Sequence, residues 1–173
     1  SAASDVYKRQ GMFIDDEALD FMKKHDIPYV PTLVAPWICA MVGEERGLSK
    51  EAVEKTKSAI GRHMASFKKA VAKGIRIAMG TDAGTPFCEH GKAYIGELKL
   101  MVEGGFTPMQ AITAATKSSA EVVGVSDSRG TLEPGKEADF LVLDVNPLDN
   151  LEAFGDIREV YQGGRRVERK YHR

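Results

Sequence analysis

Residues 74–84 read GIRIAMGTDAG, an apolar run that ends on a single carboxylate, Asp82, set between Gly80 and Gly84. Ile75 to Met79 have the composition of a short buried strand, with Arg76 as the only residue that prefers water. In parallel α/β sheets and barrels the chemistry gathers at the C-terminal ends of strands. Asp82 stands at such an end, and its flanking glycines allow the backbone to approach a ligand closely. A carboxylate there can ligate a metal, act as a general base, or do both. On spacing alone the commoner role is humbler, since Asp and Gly are ordinary turn residues and Asp also caps helices.

Working outward, the run is preceded by a long helical pattern. Ser49 is placed to cap it, and Val53, Thr56, Ile60, Met64, Phe67 and Val71 recur at spacings of three and four before Gly74 stops it. Further upstream, Asp15, Asp16 and Glu17 open another helix that Lys23, Lys24 and His25 close, each charge suiting its end of the dipole. Between the two lies IPYVPTLVAP, residues 27–36, whose prolines resist helix and predict an extended run. Downstream, Gly91 to Glu103 is helical, with Ile95, Leu98 and Val102 on one side. Thr107-Pro108-Met109-Gln110 has the composition of a capping box. Helix, strand, helix, strand is the pattern of βα units. From Gly130 the character changes: FLVLD and REVYQ suit strands, while Pro134-Gly135 and Gly163-Gly164 suit turns. Residues 11–125 thus read as one α/β unit and 126–173 as a β-rich tail.

Composition narrows the function. With 24 basic against 25 acidic residues in 173, charge gives no reason to expect nucleic acid or an anionic membrane as partner. No apolar run reaches the length of a membrane span. Cys39 and Cys88 form no CxxC pair, which favours a reducing, cytoplasmic setting. GxGxxG after a strand, GxxxxGK[ST], GxSxG and HExxH are all missing. Trp37 reads as a packing residue. His25 and His63 read as helix-surface residues and His172 as part of the tail. His90, in Glu89-His90-Gly91, shares the loop that follows Asp82.

Taken together, GIRIAMGTDAG, GELKLMVEGGFTPMQAITAATKSSAEVVG, GTLEPGKEADFLVLDVNPL and IREVYQGGRRV resemble the C-terminal half of the amidohydrolase superfamily. The similarity is to its imidazolonepropionase-like and Xaa-Pro dipeptidase-like branch and runs from Gly11 to Val167. The resemblance implies the C-terminal part of a (β/α)8 TIM-like barrel, with IPYVPTLV as strand seven and IRIAMGTD as strand eight. Residues 126–173 become the C-terminal contribution to a small β-sandwich. It implies hydrolysis of amide, dipeptide or cyclic amide bonds in a small-molecule substrate, with one or two divalent ions, often Zn2+. Asp82 matches the aspartate that touches the metal and shuttles a proton, and His90 falls in a loop that faces the substrate. A homo-oligomer is compatible with this.

The departures matter as much. The family's HxH pair, its lysine and its strand-five histidine have no counterpart in this chain, and Gln10 occupies the place of the strand-six histidine. SAASDVYKRQ, residues 1–10, therefore reads as a foreign segment joined at Gly11. Two strands cannot close a barrel that takes about 250 residues, and one carboxylate does not hold a metal. The expectation is an enzyme fragment, inactive alone and dependent on a partner or prone to aggregate. The competing expectation is a non-catalytic α/β binding or interaction module in which Asp82 only holds a turn.

Overall fold

The computed structural model of the chain describes residues 11–85 and 87–168, so residues 1–10 and His172 lie outside the described residues. Helix α1 spans Asp16–Lys24. Asp15 caps it by accepting from the Ala18 amide at 2.8 Å, with Asp16 and Glu17 in the first turn and Lys23 and Lys24 in the last. Helix α2 spans Val34–Val42 and helix α3 Lys50–Ala72, the latter capped by Ser49 on the Ala52 amide. After the Asp82 loop comes α4, Ala93–Glu103, then α5, Pro108–Thr113, which opens with the full reciprocal capping box of Thr107 and Gln110. A five-residue π turn, Ala114–Ser118, joins α5 to α6, Ser119–Val122.

Two extended segments run side by side through this helical shell. Tyr29 and Ile77 form a parallel bridge, with the Tyr29 amide donating to the Arg76 carbonyl at 2.9 Å and the Ala78 amide to the Tyr29 carbonyl at 3.0 Å. The pairing agrees with the expected parallel βα arrangement, yet it is shorter than the sequence suggests. The extended run does not continue to Pro36: the backbone turns at Thr32 and α2 begins at Val34. An all-apolar stretch has no periodicity to separate strand from helix, and Pro36 lies in the first turn of α2, where it removes only an amide that has no partner anyway.

The core is packed between these segments and the helices, with Leu19, Phe67, Ala70, Leu98, Met101 and Ala111 almost wholly buried. Phe67 meets Phe106 edge-on at 5.5 Å. The buried stripe of α3 is Val53, Ala59, His63, Ser66, Phe67 and Ala70, turned from the expected one toward its small residues. His63 is thus a core residue, not a surface one, at 1% exposure. Trp37, expected to pack, is 41% exposed on α2.

The segments approach so closely that Gly80 admits no side chain. A Cβ there would lie 2.6 Å from Val30 Cγ1 and 3.2 Å from Thr32 Oγ1. Gly80→Ala is expected to lower the stability of the chain by about 1–3 kcal/mol, read from urea unfolding. An unchanged midpoint would show that the two segments are not in contact there.

On its other side the second segment is tied to the π turn. The Met79 amide donates both to the Ala114 carbonyl at 3.1 Å and to Ser119 Oγ at 3.2 Å. Ser119 Oγ itself donates to the Ala114 carbonyl at 2.7 Å.

The β-rich tail is a three-stranded antiparallel sheet in the order β1 (Phe140–Leu143), β2 (Ile157–Gln162), β3 (Arg165–Arg166). Phe140 and Tyr161 face each other across β1 and β2 and stack at 4.5 Å. A 3-10 turn, Leu151–Gly155, fastens the tail to α4: Leu151 and Ala153 are buried, and Tyr94 donates to the Phe154 carbonyl.

Candidate active site at two strand tips

Because the paired segments are parallel, they end at the same side of the molecule. The first tip is Thr32 and the second is Asp82, and both turn there through the left-handed region, at φ +53° and +52°. Among described non-glycine residues only Asp26 and Phe87 share that conformation. A β-branched residue at positive φ is an outlier costing on the order of 1–3 kcal/mol, and such outliers cluster at functional sites.

Asp82 is exposed. Its carbonyl accepts from the Thr85 amide at 3.2 Å and from Thr85 Oγ1 at 2.8 Å, which locks the turn from the backbone side. Cys88 closes the loop below it. The buried thiol donates to the Thr81 carbonyl at 3.1 Å, the Cys88 carbonyl accepts from the Gly84 amide, and the Cys88 amide donates to the Thr85 carbonyl. Burial pushes the Cys88 thiol up, so it stays protonated and able to donate. The predicted pair of site residues does share this loop. His90 is exposed, and its Nε2 stands 3.3 Å from where a Cβ on Gly84 would be. The turn bonds from Thr85 both run to the Asp82 backbone carbonyl.

Behind the first tip lie groups the sequence reading passed over. Glu97, on α4, is fully buried and accepts from the Leu33 amide at 2.9 Å and the Val34 amide at 2.6 Å. Burial pushes its carboxyl up to about 7, against the pull of those two amides. The signal was present in AYIGELKLM: Glu97 is in line with Ala93, Leu100 and Met101, an acid on an otherwise apolar face. His63 reaches the Pro31 carbonyl, the residue before the tip, while its buried Nε2 has no hydrogen-bond partner among the described residues. Burial lowers its pKa from 6.5 to about 4, so the ring is neutral.

Metal chemistry needs more than this. Zinc-type sites take three or four protein ligands, whereas no cluster of three or more His, Cys, Asp or Glu side chains suited to a metal occurs among the described residues. Asp82 could supply one donor, so the described residues by themselves do not fit a metal centre. No described helix is long and apolar enough to cross a membrane.

Two parallel extended segments that end side by side on left-handed turns, with helices packed around them, have the pattern of α/β folds, in which ligands gather at the strand ends. The chain belongs to the Amidohydrolase family, whose profile matches residues 4–167. It is 35% identical over 159 residues to ochratoxinase of Aspergillus niger, covering 88% of this chain and 32% of that protein. It is also 32% identical over 114 residues to imidazolonepropionase of Deinococcus deserti, covering 62% of this chain and 28% of that one. A crystal structure of a Xaa-Pro dipeptidase with bound methionine in the active site superposes with a TM-score of 0.81 at 32% identity, over 92% of this chain and 39% of that chain. The chain thus spans about a third of the length of these relatives.

Proposed function

We propose that this chain is the C-terminal part of a metal-dependent hydrolase that cleaves C–N bonds in small amides, dipeptides or cyclic amides. The observation that carries it is Asp82, an exposed carboxylate in a left-handed turn at the end of a segment paired in parallel with its neighbour. Under this reading the extended segments that end at Thr32 and Asp82 are the last two strands of a (β/α)8 barrel, shortened from the expected 27–34 and 75–82, and residues 126–173 belong to a small β-sandwich. Asp82 takes the proton of the attacking water as the C–O bond forms and returns it to the nitrogen as the C–N bond breaks. His90, over the same turn, contacts the substrate. The divalent ion, zinc in many sites of this kind, belongs to the complete enzyme, with Asp82 as one donor. The 173 residues alone are inactive, and the complete enzyme is a soluble cytoplasmic protein that can self-associate.

The test compares this chain with a polypeptide extended to the length of its relatives, each supplied with Zn2+ and offered Xaa-Pro dipeptides, N-acyl amino acids and cyclic amides. The longer form releases amine and the shorter does not. A longer form that binds the metal yet cleaves none of these removes the hydrolase reading, and turnover by the 173 residues removes their inactivity.

A further inference from the structure

Helix α2 begins without a capping side chain from its own first turn. Thr32 is left-handed at φ +53° and Leu33 right-handed at φ −71°, ψ −34°. That succession turns consecutive N–H groups to one side and makes a concave nest suited to an anion. The anion is the chain's own: the two oxygens of Glu97 take one amide each, from Leu33 and Val34. The approach is built for, since a Cβ on Gly96 would stand 2.8 Å from Val34 Cγ2. Glu97 therefore ties α4, which follows the Asp82 loop, to the tip of the other segment. Thr32 in turn abuts Gly80, two residues before Asp82.

We propose that Glu97 is a positioning residue for Asp82: its carboxylate, seated in the Leu33–Val34 nest, holds Thr32 in its strained turn against Gly80 and so fixes the end of the segment that presents Asp82. A displacement of about 1 Å at a reacting group can lower turnover by about a hundredfold, so the clamp acts on kcat and not on substrate affinity. This rests on the hydrolase reading.

The test is made in the extended polypeptide and in the 173-residue chain. Glu97→Gln leaves one acceptor oxygen and turns an NH2 toward an amide. Turnover is expected to fall by about ten- to a hundredfold with KM unchanged. Adding Thr32→Asn restores most of the loss, because asparagine takes the left-handed region far more readily than threonine and still places a side chain beside Gly80. A role in core packing alone would give no such rescue, and absence of rescue overturns the proposal. In the 173-residue chain, hydrogen exchange at the Leu33 and Val34 amides speeds up in Glu97→Gln while the Ala78 amide keeps its protection. Unchanged exchange at Leu33 and Val34 also overturns it. If Glu97→Gln does not fold, Glu97→Asp, with both oxygens on a shorter stem, carries the same two readouts. The hydrolase reading is judged separately by Asp82→Asn: its failure leaves the exchange result and its meaning for the clamp intact.

Discussion

Asp82→Asn lowers turnover by about 10²- to 10⁴-fold in the polypeptide extended to the length of its relatives, the range expected when a positioned base is lost. Asparagine is the informative substitution because of the backbone. At φ +52° the residue lies in the left-handed region, which Asn adopts about as readily as Asp and which alanine resists. The turn bonds run through the Asp82 carbonyl to Thr85, and the variant keeps that carbonyl. Unfolding of the variant should therefore match the parent while the amide oxygen and NH2 can no longer take a proton from water. A variant that turns over near the parent rate would return Asp82 to the status of a turn residue.

The second large effect is in stability and depends on pH. His63 is held neutral, its pKa depressed from 6.5 to about 4 by burial. Its contribution is complete above 6.5 and is lost as pH falls through 4, because the folded state then has to bury a cation. Glu97 runs the other way. Its carboxyl is raised from 4.5 to about 7, so its contribution is complete below 4.5 and is lost as pH rises through 7. Each difference corresponds to about 3 kcal/mol, and between pH 7 and 4 the two nearly cancel. His63→Gln keeps a donor for the Pro31 carbonyl but cannot titrate. On moving from pH 7 to 4 this variant gains on the parent chain by about 3 kcal/mol, measured by urea unfolding at each pH. Parallel profiles for variant and parent would mean that His63 titrates as it does in water. The exposed ion pairs, such as Lys69 with Asp16, are common to both proteins and drop out of the comparison.

The sequence was legible where one residue carried a local signal. Asp15, Ser49 and the Thr107–Gln110 box mark their helices because a side-chain oxygen facing free amides is a requirement met within three residues. The strands of the tail were legible for the same reason, being bounded by Pro134-Gly135 and Gly163-Gly164. What stayed hidden was non-local. Helix α2 takes its cap from Glu97, more than sixty residues away, so nothing near Val34 announces a helix start. His63 is buried because small neighbours on α3, Ala59, Ser66 and Ala70, let that face approach the core. A count of large apolar residues favours the face next to it. That Asp82 and His90 share one exposed loop was legible, since a carboxylate at the end of an apolar run is readable without a partner. Cys88 was noted only for its pairing, and its bond to Thr81 closes a loop whose shape the residues alone do not dictate.

The π turn at Ala114–Ser118 bears on what this chain can tolerate over evolutionary time. A π turn is an α-helix carrying one residue too many, and loss of any one of these five would tidy the helix. That gain in regularity would close the wide turn and draw the Ala114 carbonyl into the helix's own hydrogen-bond ladder, taking it from Ser119 Oγ and from the Met79 amide beside the Asp82 segment. The segment is thus a place where point changes are admissible and length changes are not. Gene variants of this region should differ in letters but keep the same count.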